Sequence, residues 1–135
     1  MDRGSSEDRA LAAKPARFSR GRRLLRHADF DAVYRQGKRH FAACMTVFYL
    51  RRPPGMGMRV GFTVARGLGG AVQRNRMKRR LREAVRLNRV IEAPVDVVIN
   101  PKATLLKVDF LQVQNQIARA FDVIEKDMGG AKARP

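Results

Sequence analysis

The stretch GLGGAVQRNRMKRRLREAVRLNR, Gly67 to Arg89, constrains the fold more than any other part of this chain. It is crowded with Arg and Lys, yet its apolar residues recur at helical spacing. On a wheel of about 100° per residue, Met77, Leu81, Ala84 and Asn88 fall within about 60°, with Val85 at their edge. Asn75, Lys78, Arg79, Arg82, Arg86 and Arg89 fall on the other side within about 100°, and Arg74, Arg76 and Arg80 flank them. The segment is therefore an amphipathic helix whose apolar arc packs on a sheet and whose outer side is almost wholly cationic. Its one carboxylate, Glu83, can pair with Arg79 or Arg86 for about 0.2–0.5 kcal/mol each. Arg74 and Arg76 at its start oppose the helix dipole. A merely solvated face usually mixes signs; this one is built for an anionic partner. The preceding Gly67, Gly69 and Gly70 match neither G-x-x-x-x-G-K-[ST] nor G-x-G-x-x-G, so they read as a tight turn into the helix rather than a nucleotide cradle.

The whole chain carries the same bias. Its 135 residues include 29 Lys plus Arg against 12 Asp plus Glu, a formal charge of +17. That excess repels itself in the folded state, and a polyanion relieves it. Nucleic acid is the first expectation and an anionic membrane surface the second. No window of about 18 apolar residues exists to span a membrane. The start, MDRGSSEDRA, has no apolar signal region, and the single cysteine, Cys44, cannot form an internal disulfide, so a reduced, cytoplasmic setting is expected. Residues 1–17 and 129–135 read as disordered tails around one domain spanning 18–128.

Several further elements are legible. RLLRHADFDAVYRQG reads as a short helix, with Phe30, Val33 and Tyr34 on one stripe and Gly37 as its stop. His40 to Leu50 suits a strand. RRPPGMGM is a turn, and Met58 to Ala65 is a second strand, which suggests an antiparallel pair with the first. A third strand covers about Val95 to Asn100, closed by Pro101. Asp109 can cap a last helix running to about Asp127, with Phe110, Val113, Ile117, Phe121 and Ile124 on one stripe. The sum is an α+β sandwich of one sheet with helices packed on it.

Nothing in the sequence forms a protein-borne active site. His27 and His40 have no cysteine or carboxylate pair at metal-ligand spacing. Cys44 sits in a strand without a base and suits a small buried hydrophobe. The few carboxylates, Asp29 with Asp31, Glu83, Glu92, Asp96 and Asp109, form no evident acid–base pair.

The run Arg74-Asn75-Arg76 opening a basic helix, with GFTVARGLGGAV just before it, resembles the protein subunit of bacterial ribonuclease P. RLLRHADFDAVYRQGKRH, the DVVIN strand and the last helix extend the resemblance over about Arg23 to Asp127. It implies the order αβββαβα, with a further short strand near Lys38 to Ala42. It also implies a fold of the ribosomal protein S5 domain 2-like type with a left-handed β-α-β crossover, against the usual handedness. Two features depart from the family. His27 stands where a Ser or Thr cap is common, and Arg66 stands alone before Gly67 where two basic residues are common.

What the resemblance implies about function is specific. The family's protein binds a catalytic RNA, about one protein per RNA, and together they remove the 5′ leader of precursor tRNA. The RNA holds the Mg²⁺ ions and does the chemistry, no protein-bound cofactor is expected, and neither a membrane nor an obligate protein partner is needed. Arg74, Asn75, Arg76, Lys78, Arg79, Arg82 and Arg86 would bind the RNA subunit, mainly at phosphates. Phe30, Tyr34, Phe48 and Arg66 would bind the leader, the rings by sequence-tolerant stacking. From spacing alone, Phe30 and Tyr34, which lie on the helix's apolar stripe, suit ordinary core better; the resemblance reverses that preference. The alternatives are a structural RNA-binding protein of ribosomal type, and a basic protein that coats a membrane or compacts DNA.

Overall fold

The computed structural model describes residues 27–88 and 91–133. The chain runs α1 (His27–Gln36), β1 (Lys38–Phe41), β2 (Met45–Arg51), β3 (Met58–Phe62), α2 (Ala71–Arg86), β4 (Val95–Pro101) and α3 (Phe110–Ala133), with short 3₁₀ turns at Arg66–Leu68 and Ala103–Leu106. The expected tail at residues 1–17 lies outside the described residues. At the other end, the backbone of α3 continues past the expected stop at Asp127 through residues 129–133.

One sheet holds all four strands in the order β1-β2-β4-β3. The expected pairing of the strands at 45–51 and 58–62 is not what forms. β4 lies between them, antiparallel to β2 from Met45↔Pro101 to Arg51↔Val95 and parallel to β3 from Met58↔Val95 to Phe62↔Ile99. The reason lies in β4 itself. Val95, Val97, Val98 and Ile99 are fully buried on both faces of the strand. A strand apolar on both faces belongs in the middle of a covered sheet. The loop between β2 and β3 leaves room for it, turning at Gly55 and Gly57, whose φ angles are 85° and 76°.

The long strand expected from His40 to Leu50 is in fact a hairpin. The chain turns at residues 42–44, where Ala42 N–H donates to Met45 O at 2.9 Å, and β1 pairs antiparallel with β2. β1 thus occupies the place that the family resemblance implied. It is one of the two edge strands, and its Lys38 and Arg39 blunt that edge.

The sheet's faces are unequal. Met45, Val47 and Tyr49 of β2, Met58 and Val60 of β3, and Val95, Val97 and Ile99 of β4 join the main core with Met77, Leu81, Ala84 and Val85 of α2 and Val113, Ile117, Phe121 and Ile124 of α3. Among the described residues, the opposite face carries α1 alone, where Val33 and Val98 form a small buried centre flanked by half-buried Phe30, Tyr34, Phe48 and Leu50. Gly37 ends α1, as expected, because of close approach rather than unusual torsion. A Cβ there would lie 2.5 Å from both Tyr49 O and Val33 O. Asp96 is the one buried charged residue among those described; Arg59 grips both of its oxygens at 2.9 Å and Arg52 Nε lies 3.3 Å away. Arg59 also reaches Asp29 at 3.5 Å, tying the first turn of α1 to the sheet.

Candidate nucleic-acid interface

The β3-α2-β4 unit sets the cationic helix on the sheet by the arc read from the sequence. Met77, Leu81, Ala84 and Val85 are its buried residues, and Asn88 follows them inward, donating its side-chain amide to Ala84 O at 2.9 Å and Gln114 O at 3.2 Å. The outer side is therefore fixed in space. Asn75, Arg76, Arg79 and Arg82 are exposed, with Lys78 half-buried beside them. Among the described residues, none of these five has an ion pair or a side-chain hydrogen bond.

The other cations of α2 are partly committed within the protein. Arg74 is half-buried and donates Nε–H to Gly69 O at 3.1 Å, closing the turn that precedes the helix. Gly69 has φ 145°, a torsion that favours glycine, and so the glycine loop acts as the expected turn. Arg86 pairs with Glu83, which takes this partner rather than Arg79. That pairing holds the Glu83 carboxyl below its ordinary pKa, against the opposing effect of burial. Arg80 donates from one guanidinium nitrogen to both Leu105 O and Val108 O at 2.7 Å, clamping the link between β4 and α3 against α2. No pattern in the sequence singled out that role for Arg80, because its carbonyl partners lie 25 and 28 residues away.

The helix also starts without a cap. Gly70 offers no side chain to its first N–H groups, and the first turn holds no acidic residue. Free N–H groups, the positive end of the dipole and the neighbouring Arg side chains all favour an anion at this end.

The aromatic residues gather on the opposite face of the sheet. Tyr34 from α1 and Phe48 from β2 meet edge to face, with ring centroids 5.0 Å apart and planes at 87°. Phe30 packs on the same centre. Tyr34 Oη–H donates to Asn100 Oδ1 at 3.0 Å, which fixes the ring against β4. The register places Arg39 opposite Phe48, with its guanidinium carbon 5.6 Å from the ring centroid, within cation–π range. Arg39 and Asn100 belong to this surface and were missed by sequence reasoning, since Arg39's strand was not visible in the hydrophobic pattern. Arg66 is exposed in the turn after β3, on the far side of β4 from Phe48's strand. No histidine, cysteine or carboxylate cluster able to hold a metal occurs among the described residues. No described helix is long and apolar enough to cross a membrane.

Fold and surfaces together define a basic, single-domain α+β protein whose second helix presents an exposed cationic side. The profile of the Ribonuclease P family matches residues 18–125. A ribonuclease P protein component of Citrifermentans bemidjiense is 36% identical over 109 residues, covering 81% of this chain and 93% of the relative. One from Maridesulfovibrio salexigens is 42% identical over 85 residues, covering 62% of this chain and 68% of the relative. The solved ribonuclease P protein of Thermotoga maritima superposes with a TM-score of 0.65 at 30% identity, covering 73% of this chain and 94% of that one. The chain belongs to the ribonuclease P protein family.

Proposed function

We propose that this protein is the accessory subunit of a bacterial, cytoplasmic ribonuclease P, and that its two surfaces serve two RNAs. The outer side of α2 holds the catalytic RNA, one protein per RNA, through Asn75, Arg76, Lys78, Arg79 and Arg82, with Arg74 and Arg86 contributing once RNA competes for their present partners. The single observation that carries this reading is the row of exposed cations on α2 that have no partner among the described residues. Arg can bind phosphate oxygens bidentately, which suits Arg76, Arg79 and Arg82 to the task.

The aromatic face takes the single-stranded 5′ leader of precursor tRNA. Phe30, Tyr34 and Phe48 offer ring surface to unpaired bases of any sequence, and Arg39 lies where a backbone phosphate would pass. Arg66 is the outlying member of this set, positioned for leader phosphates beyond the rings. The catalytic centre belongs to the RNA, which holds the Mg²⁺ ions for hydrolysis; the protein's own part is binding, orientation and charge neutralisation. The family match favours this reading over a structural RNA-binding protein of ribosomal type.

The test is cleavage of precursor tRNA by a catalytic ribonuclease P RNA at near-physiological Mg²⁺, with and without the full chain. The protein should promote cleavage at the mature 5′ end. Cleavage no better than that by RNA alone would contradict the reading.

A further inference from the structure

Beside the outer side of α2 lies a groove of about 340 Å³ lined by Arg76, Arg79, Arg80, Glu83, Leu106 and Phe110. Its walls differ in chemistry. Leu106 and Phe110, both half-buried against the main core, give it one aliphatic and one aromatic surface. Arg76 and Arg79 stand exposed along α2 with no ion pair among the described residues. Arg80 bonds Leu105 O and Val108 O through one guanidinium nitrogen and so holds the Leu106–Phe110 wall in place. Glu83 contributes a carboxylate whose oxygens, though bonded to Arg86, keep lone pairs for a further donor.

A phosphate site alone needs no aromatic wall, and a groove that served only as a packing defect would not place two unpaired guanidinium groups at its side. An unpaired nucleotide matches each element: a flat base for the ring, phosphates for the arginines, and base N–H groups for a carboxylate. The volume is of the size that takes small ligands. We propose that this groove holds one unstacked nucleobase of the RNA against Phe110 and Leu106 while Arg76 and Arg79 bind its flanking phosphates. This rests on the reading of α2 as the RNA-binding surface and adds to it a base-binding pocket.

Two measurements test it. The isotopically labelled full chain is titrated separately with the four nucleoside 5′-monophosphates and with inorganic phosphate, and followed by NMR. The nucleotides should shift the Phe110 ring and Leu106 methyl signals as well as the Arg76 and Arg79 guanidinium signals, whereas phosphate should shift the arginines only. Ultraviolet cross-linking of the protein assembled with catalytic RNA should then place a nucleotide adduct on the peptide containing Phe110. Phe110→Leu, which keeps an apolar contact with the core, should remove the adduct and raise the Kd for the RNA by roughly 5-fold or more, the loss of one base–aromatic stack. The proposal is overturned if phosphate alone reproduces the nucleotide shifts, or if no adduct forms at Phe110. The nucleotide titration needs no catalytic RNA, so its failure with intact RNA binding would remove the pocket and leave the broader reading standing, whereas loss of RNA binding altogether would remove that reading itself.

Discussion

The hydroxyl of Tyr34 on α1 donates to Oδ1 of Asn100 on β4 at 3.0 Å, while the Tyr34 ring meets Phe48 edge to face at 5.0 Å. One side chain thus joins a helix to the sheet and forms part of the aromatic face. The two roles are separable. Tyr34→Phe should cost about 0.5–1.5 kcal/mol of stability, the net worth of one hydrogen bond, read by chemical denaturation. Leader binding should change little, because the ring remains; a loss of leader affinity as large as that of Tyr34→Ala would contradict the stacking role.

Arg39 acts differently from the rings. Its guanidinium faces Phe48 from the edge strand, where it is exposed and close to any phosphate drawn along the rings. Arg39→Gln should lower the salt dependence of leader binding by a slope of about 0.7, the value for one lost single-strand phosphate contact. The check is the affinity for leader-bearing precursor tRNA over a range of salt concentrations. An unchanged slope would take Arg39 out of the phosphate path.

Arg80 and Arg79 are neighbours in sequence with different surroundings, one bonded within the fold and the other exposed. Arg80→Ala leaves the carbonyls of Leu105 and Val108 without their donor and should cost about 1–3 kcal/mol of stability. Arg79→Ala should leave stability within about 0.5 kcal/mol, as for other exposed positions. It should instead weaken binding of the catalytic RNA. Thermal melts of the two variants beside RNA affinities separate the roles.

Acid should loosen the outer edge of the sheet. Asp127 accepts from Lys38 on β1 at 3.0 Å and from the Tyr49 hydroxyl at 3.1 Å. The Lys38 bond, followed by that of Tyr49, holds the Asp127 pKa below its ordinary value, against a raising effect of burial. A carboxylate depressed in the fold contributes stability above its unfolded pKa, near 3.8, and loses it as pH falls through the lower folded value. Asp127→Asn should therefore be less stable than the parent at neutral pH, and the gap should close below about pH 4. A gap independent of pH would mean that packing, not charge, sets the effect.

The sequence made some of this legible and hid the rest for physical reasons. The α2 arc of Met77, Leu81 and Ala84 was visible because a helix on a sheet must repeat its apolar residues at a fixed angle, whatever its partner. The place of β4 was not. Its VDVVINP run carries no alternation, and the short turn at 51–58 suggested that its flanking strands pair with each other. β1, Lys38–Phe41, was invisible to pattern because an edge strand needs little apolar surface. The cationic side of α2 followed from spacing and charge alone. The aromatic face did not, since the spacing of Phe30 and Tyr34 favours a core stripe, and only the family resemblance points to a binding role. Arg80's clamp and the wall formed by Leu106 and Phe110 depend on long-range contacts that no local pattern encodes.

The central claim is that one sheet carries two separate RNA surfaces. Its most direct test is the holoenzyme's affinity for leader-bearing precursor tRNA and for leaderless tRNA, measured for the parent, Phe48→Ala and Arg76→Ala, together with each protein's affinity for the catalytic RNA. The account predicts that Phe48→Ala weakens only the leader-bearing substrate, by roughly 5- to 100-fold for one base stack. Arg76→Ala should weaken the catalytic RNA and flatten its salt dependence by a slope of about 0.7–0.9. Equal losses for both tRNAs in Phe48→Ala, with catalytic-RNA binding reduced alongside them, would contradict it.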